Sequence, residues 1–99
     1  MAFEVQVYRT TVDPANVDRL LEIRPSAIAQ AQAACPLLVR ADLIRLDERT
    51  WLDILTWSEP GAVDQLMSVA ADLPLVGQMH ALISEVVAVD TGELAHSVS

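Results

Sequence analysis

The stretch from Thr50 to Ala62, TWLDILTWSEPGA, decides how the rest of the chain is interpreted. Residues 50 to 57 carry β-forming side chains, and Ser58-Glu59-Pro60-Gly61 then gives a turn that leads into a helix. Trp51 and Trp57 are six residues apart, and an even separation along a strand places both indoles on one face. We therefore predict a strand over residues 50 to 57 with an aromatic face, followed by a helix.

On both sides of this stretch, the spacing of apolar residues predicts further strands and helices. Residues 3 to 10 alternate between apolar and polar side chains, which is typical of a half-buried strand. Pro25 lies inside a helical pattern, where it is expected to kink or restart the helix. The predicted strands cover residues 3–10, 37–46, 50–57 and 85–90, and the predicted helices cover residues 14–34, 60–71 and 74–83.

The order β-α-β-β-α-β predicts an α+β, ferredoxin-like fold, a four-stranded antiparallel sheet with its helices on one face. At 99 residues the chain is interpreted as one domain over 1–99, with an ordered core over about residues 3–90 and a mobile tail over 91–99. Its apolar residues make up 53% of the chain, more than so small a domain can bury. We expect the surplus to contact a second subunit or an apolar ligand, and we expect a homodimer.

Composition also excludes several classes of function. The formal net charge is −8, which disfavours binding to nucleic acid and to anionic membranes. The chain has neither a signal-like start nor an apolar run of about 20 residues, so a cytoplasmic location and no membrane insertion are expected. Cys35 is the sole cysteine, no metal-ligand spacing occurs, and no GxGxxG or GxSxG motif is present. We predict no metal site and no cofactor.

Two aromatic side chains are candidates for binding a small molecule. Trp57 ends its predicted strand, where it either lines a cavity or closes the core at the end of the sheet. Tyr8 lies on the more polar face of the first strand, where it either donates a hydrogen bond to a ligand or sits at a rim. Trp51, at the start of the strand that Trp57 ends, is predicted to pack in a dimer interface.

Two further residues are candidates for catalysis. His80 is a side chain within a predicted helix that titrates near neutral pH, and it either moves a proton or is an ordinary helical histidine. Arg24 continues an apolar helical stripe, beside the expected kink. It either holds an acidic or phenolate group in a pocket, or it reaches solvent and pairs with Asp18 or Glu22.

Four segments together resemble the antibiotic biosynthesis monooxygenase family, within the dimeric α/β-barrel superfamily. These segments are FEVQVYRT (3–10), LLVRADLIRLDERTWLDILTW (37–57), SEPGA (58–62) and ALISEVVAVD (81–90). The resemblance implies a homodimer in which each subunit encloses a pocket. It also implies oxygenation of a small aromatic, quinol or polyketide-type molecule by O2 without metal or flavin. In that scheme Trp57 and Tyr8 line the pocket, Arg24 stabilises a phenolate and His80 moves the proton.

Two other functions fit the same scaffold. One is a non-enzymatic dimeric barrel that binds a small apolar ligand or acts as an accessory protein, and the other is an isomerase or cyclase. A haem-degrading branch of the superfamily has an Asn on the first strand and a Trp on the second helix. This chain resembles that branch at His80 but has no such Asn, and it offers Leu66 or Met67 in place of the Trp. Haem degradation is therefore disfavoured.

Overall fold

The computed structural model describes residues 3 to 98, and within them it contains four strands, three α-helices and two short 3-10 helices. The strands are β1 (Glu4–Thr11), β2 (Leu38–Arg45), β3 (Thr50–Trp57) and β4 (Glu85–Glu93). The α-helices are α1 (Val17–Ala34), α2 (Ala62–Val69) and α3 (Pro74–Ala81), and the 3-10 helices are Pro14–Asn16 and Ala70–Asp72. The strands form one antiparallel sheet in the order β2-β3-β1-β4. This arrangement confirms the predicted α+β, ferredoxin-like fold. Residues 1, 2 and 99 of the predicted domain lie outside the described residues.

The local signals in the sequence explain where several elements begin. The Asp13 carboxylate accepts a hydrogen bond of 2.9 Å from the backbone N–H of Ala15, and Pro14 occupies the first helical position. Gly61, immediately before α2, has φ of 77°. That left-handed conformation is readily adopted by glycine and disfavoured for residues with a Cβ atom.

The end predicted for the last strand is wrong, and the restart considered for the first helix does not occur. The Thr91-Gly92 pair does not end the last strand, because Thr91 and Gly92 pair with Gln6 and Val5 of β1 and carry β4 on to Glu93. Pro25 does not restart the first long helix, since α1 is continuous through it.

The helix survives Pro25 because the proline lies on its solvent side. A proline removes the hydrogen bond to the carbonyl four residues earlier, which here belongs to Leu21. Both residues are exposed, so water can satisfy that carbonyl.

The helices cover the face of the sheet that carries Trp51 and Trp57. Trp51 is 4% exposed and packs with residues of α1 and with Met79 of α3. Trp57 is 0% exposed and packs with Ala31 of α1 and Leu66 of α2. The two indoles therefore share one face, as predicted, but the prediction of a dimer-interface role for Trp51 is wrong, because its own subunit buries it.

The polar face of β1 is the buried one. Gln6 and Thr10 are 7% and 3% exposed beneath the helices, whereas the apolar residues of β1 point to the opposite side of the sheet. Strand pairing places apolar residues of β2 and β3 on that same side. We call this surface the open face, and its apolar members are Val5, Val7, Ile44, Leu52 and Ile54. No helix in the described part of the chain is long and apolar enough to cross a membrane.

Candidate ligand pocket

A pocket of about 430 Å³ lies between the helix-covered face of the sheet and the segments that follow β3. Its volume falls in the range of pockets that hold small organic ligands. Most of its wall is apolar, and the polar side chains are few. Its apolar lining comes from Ile28, Ala31, Leu38, Leu55, Trp57, Val63, Leu66, Met67, Ala70, Val76, Met79, Ile83 and Val86, and its polar lining from Tyr8, Thr10, Asp53, His80, Ser84 and Glu85.

Tyr8 supplies a phenol ring to the pocket wall and has its hydroxyl fixed. The Tyr8 hydroxyl donates a hydrogen bond of 2.8 Å to Oε1 of Gln6, two residues earlier on the same face of β1. Burial, followed by the negative charges of Asp53 and Glu4, raises the pKa of Tyr8 above its ordinary value. Tyr8 is therefore a neutral hydrogen-bond donor at physiological pH, already engaged within the protein.

Asp53 is directly opposite Tyr8 on β3 and is held by Arg24 from α1. The guanidinium donates two hydrogen bonds, from Nη2 to Oδ1 at 2.8 Å and from Nη1 to Oδ2 at 3.0 Å. The Arg24 and Asp53 side chains are only 10% and 14% exposed. A two-point arginine–carboxylate pair of this kind is strong and directional, so it fixes the Asp53 carboxylate at the pocket wall.

Trp57 borders the pocket without any surface exposed to water. Its indole N–H is itself buried and has no hydrogen-bond partner within residues 3 to 98. Trp57 therefore belongs to the buried core behind the pocket wall, and its N–H donor is not exposed to a ligand.

His80 lies at the mouth of the pocket, in the last turn of α3. His80 is exposed to solvent, and Ser84 and Glu85 also line the cavity. A histidine in this position can contact both solvent and a bound molecule. It can therefore accept a proton from the ligand and release it to water.

The described residues do not supply a metal site. Across residues 3 to 98 no group of three or more His, Cys, Asp or Glu side chains converges on one point. Cys35 is buried and its Sγ lies 3.9 Å from the carbonyl oxygen of Ala62, away from the polar part of the pocket.

Comparison with known proteins places this geometry in context. No family model and no curated protein sequence matches the chain. HapK from Hahella chejuensis matches in structure with a TM-score of 0.76 at 18% identity, over 98% of this chain and 97% of HapK. A candidate antibiotic biosynthesis monooxygenase from Chloroflexus aurantiacus J-10-fl matches with a TM-score of 0.73 at 11% identity, over 98% and 97% of the two chains. The chain has the fold of antibiotic biosynthesis monooxygenases.

One further structure with the antibiotic biosynthesis monooxygenase fold has a described activity. SnoaB from Streptomyces nogalater, a cofactor-independent oxygenase, matches with a TM-score of 0.65 at 20% identity, over 100% of this chain and 97% of SnoaB. A protein of unknown function from Nitrosomonas europaea matches at a similar level, with a TM-score of 0.70 and 16% identity. At such identities the likeness establishes the fold, and the chemistry has to be argued from the pocket itself.

Three of the four residues singled out from the sequence meet at one cavity. Tyr8, Trp57 and His80 all line the pocket, and Arg24 does not. The Arg24 guanidinium is bound by Asp53, so it pairs with neither Asp18 nor Glu22. Glu22 instead lies 3.2 Å from Arg19 at the helix surface.

Asp53 is the site residue that the sequence reasoning missed. It sits between Trp51 and Trp57 at even spacing, so the pattern already placed a carboxylate on the aromatic face of the strand. A buried carboxylate needs a cationic partner, and Arg24 was the cation on an apolar helix face. Together these two observations make Asp53 a candidate partner for Arg24, although they do not show that the two side chains meet.

Proposed function

We propose that this protein is a cofactor-independent monooxygenase that oxidises a small aromatic, quinol or polyketide-type molecule with O2. The supporting observation is the apolar pocket, of a size suited to a fused aromatic ring system, with a histidine at its mouth. The fold shared with SnoaB, itself a cofactor-independent oxygenase, supports the same reaction class.

The chemistry requires little from the protein beyond binding, proton removal and exclusion of water. An electron-rich aromatic anion can itself transfer an electron to O2, so the substrate supplies the reducing power. With anthrone as the test substrate, one molecule of anthrone and one of O2 give one anthraquinone and one water. The CH2 group loses two hydrogens and gains one oxygen, and the second oxygen atom leaves as water.

In this proposal each pocket residue has a separate task. His80 accepts the proton that the substrate loses, because it lies where the pocket meets solvent. Tyr8 forms part of the surface against which the aromatic rings pack, and Trp57 supports that wall from the buried core behind it. Arg24 acts indirectly, since both of its terminal nitrogens are engaged by Asp53.

A homodimer is also part of the proposal. The open face carries five apolar side chains on three adjacent strands, and Ile44 is 43% exposed. A second copy of the chain with the same surface would cover both faces at once. The cytoplasmic location stays a prediction from the sequence.

The test compares aerobic and anaerobic incubation of the protein with anthrone and quantifies anthraquinone. We expect product that depends on both protein and O2. His80→Ala should slow the reaction by about 10² or more, the usual contribution of a general base. His96→Ala is the matched control, because His96 is exposed in the C-terminal segment and does not line the pocket.

A non-enzymatic ligand-binding or accessory function is the second candidate. It is favoured by the finding that two polar groups of the pocket already have protein partners, since Tyr8 bonds to Gln6 and Asp53 bonds to Arg24. This function predicts that aromatic ligands bind while O2 is not consumed. Conversion of a ligand at equal rates with and without O2 would instead indicate an isomerase or cyclase.

A further inference from the structure

The Asp53 carboxylate is held in the pocket wall by Arg24, and it has acceptor capacity to spare. An ionised carboxylate offers about four lone-pair positions for hydrogen bonds. Arg24 uses one on each oxygen, at 2.8 and 3.0 Å. Its neighbour across the strands, Tyr8, donates to Gln6 instead. Within residues 3 to 98 no third hydrogen bond to the Asp53 side chain occurs, so each oxygen retains an unused acceptor position.

The carboxylate of the pair lies nearer to the cavity than the guanidinium. Asp53 lines the pocket, whereas Arg24 does not and reaches the carboxylate from α1. A bound molecule therefore meets the negative member of the pair first. Glu85 adds a second negative charge at the edge of the cavity. Such a wall attracts hydrogen-bond donors and repels anions.

The apolar part of the wall cannot supply this discrimination. Leu55 neighbours Asp53 on the same face of β3, and the α2 side of the pocket is formed by Val63, Leu66 and Met67. Apolar walls bind an aromatic hydroxyl compound and its methyl ether almost equally well. Polar groups that must be satisfied discriminate more strongly.

We propose that Asp53, positioned by Arg24, makes the pocket selective for neutral aromatic molecules that carry a hydroxyl group, and against aromatic carboxylates. The hydroxyl donates a hydrogen bond to a free acceptor position of the Asp53 carboxylate and keeps its proton on binding. This inference rests on the proposed function in one respect, that the pocket holds an aromatic molecule. It specifies which aromatic molecules enter and requires no oxygen chemistry. Anthrone meets the requirement as its enol tautomer, anthranol, which carries a hydroxyl group.

The test measures binding by calorimetry without O2 at pH 7, using three probes of similar size. These are 1-naphthol, its methyl ether 1-methoxynaphthalene, and 1-naphthoate, which is an anion at this pH. A hydrogen bond to a charged acceptor predicts that 1-naphthol binds roughly 10- to 100-fold more tightly than the methyl ether. 1-Naphthoate should bind more weakly than either.

Variants then assign the preference to Asp53. Asp53→Leu combined with Arg24→Met replaces the pair by apolar side chains of similar size, a change that buried ion pairs often tolerate. This double variant should bind 1-naphthol and its methyl ether about equally and should lose its discrimination against 1-naphthoate. Asp42→Asn is the control, because Asp42 pairs with Arg40 on the opposite face of the sheet.

Several results would overturn the inference. In the unmodified protein, these are equal binding of 1-naphthol and its methyl ether, tighter binding of 1-naphthoate than of 1-naphthol, or no binding of 1-naphthol at millimolar concentration. In the double variant, it is an unchanged preference for 1-naphthol over its methyl ether. Failure of the proposed oxygenase is distinguishable, because it would appear as selective binding of 1-naphthol without any O2-dependent turnover of anthrone.

Discussion

Removing either member of the Arg24–Asp53 pair should destabilise the protein far more than removing both. The two side chains are 10% and 14% exposed and share two hydrogen bonds. Breaking a buried pair by removing one partner typically costs about 3 to 5 kcal/mol, because the other charge is left uncompensated. For a domain whose total stability is about 5 to 15 kcal/mol, that is a large fraction.

The position of the pocket makes the two single variants unequal. Arg24→Met leaves a carboxylate that lines a cavity and can be hydrated there, so we expect a loss near the lower end, about 3 kcal/mol. Asp53→Leu leaves a guanidinium away from the cavity and should cost about 1 kcal/mol more. The double variant should lie within about 1 kcal/mol of the unmodified protein.

Urea unfolding followed by tryptophan fluorescence measures all four proteins on one scale. The double-mutant cycle should give a coupling energy of about 6 kcal/mol between the two positions. If the two single variants instead lose less than about 1 kcal/mol each and their losses add, Arg24 and Asp53 do not act as a buried pair, because that result is typical of a solvent-screened surface pair.

Three further predictions concern the dimer, the backbone and pH. Ile54→Arg on the open face should convert the dimer to a monomer in analytical ultracentrifugation. Leu21→Arg, on the exposed side of α1, should leave the dimer intact. A dimer that survives Ile54→Arg would contradict the proposed interface. In urea unfolding, Gly61→Ala should destabilise the protein by about 1 kcal/mol, because φ is 77° at this position. Gly77→Ala lies inside α3, where no atom is within 4 Å of the added Cβ, and should stabilise the protein by about 0.5 to 1 kcal/mol. Equal effects of the two variants would show that the left-handed conformation of Gly61 is not what makes the difference. Burial and two neighbouring carboxylates raise the pKa of Tyr8 in the folded state, so the unfolded chain loses the phenol proton at a lower pH than the folded protein does. The free energy of unfolding should therefore fall above about pH 10. Tyr8→Phe should make that fall less steep.

Much of the fold was predictable because its signals are local. The strand over residues 50 to 57 was predicted with the bounds that the structure shows, since its β-forming residues and the Ser-Glu-Pro-Gly turn define its end and the even spacing of Trp51 and Trp57 defines its aromatic face. The start of the first helical segment at Pro14 follows from the Asp13 cap in the same way. The end of β4 was not predictable locally, because pairing with β1 overrides the turn tendency of Thr91-Gly92.

The site was predictable only in part, because long-range contacts decide it. Alternation along β1 separates Tyr8 from Val7 but does not say which face the helices cover. The helices cover the polar face, and this places Tyr8 in the pocket and the apolar residues on the open face. The partner of Arg24 is 29 residues away in the chain, and no helical spacing rule connects it to Asp53.

If the pocket oxidises an aromatic molecule with O2, as proposed, the initial rate of O2 uptake with anthrone measures that reaction itself. Val63→Trp places an indole on the pocket wall, and Val69→Trp makes the same change on α2 at a position that does not line the pocket. We predict protein-dependent uptake of one O2 per anthrone that is abolished by Val63→Trp and retained by Val69→Trp. Uptake at the rate of buffer alone, or equal uptake by the two variants, would contradict the account.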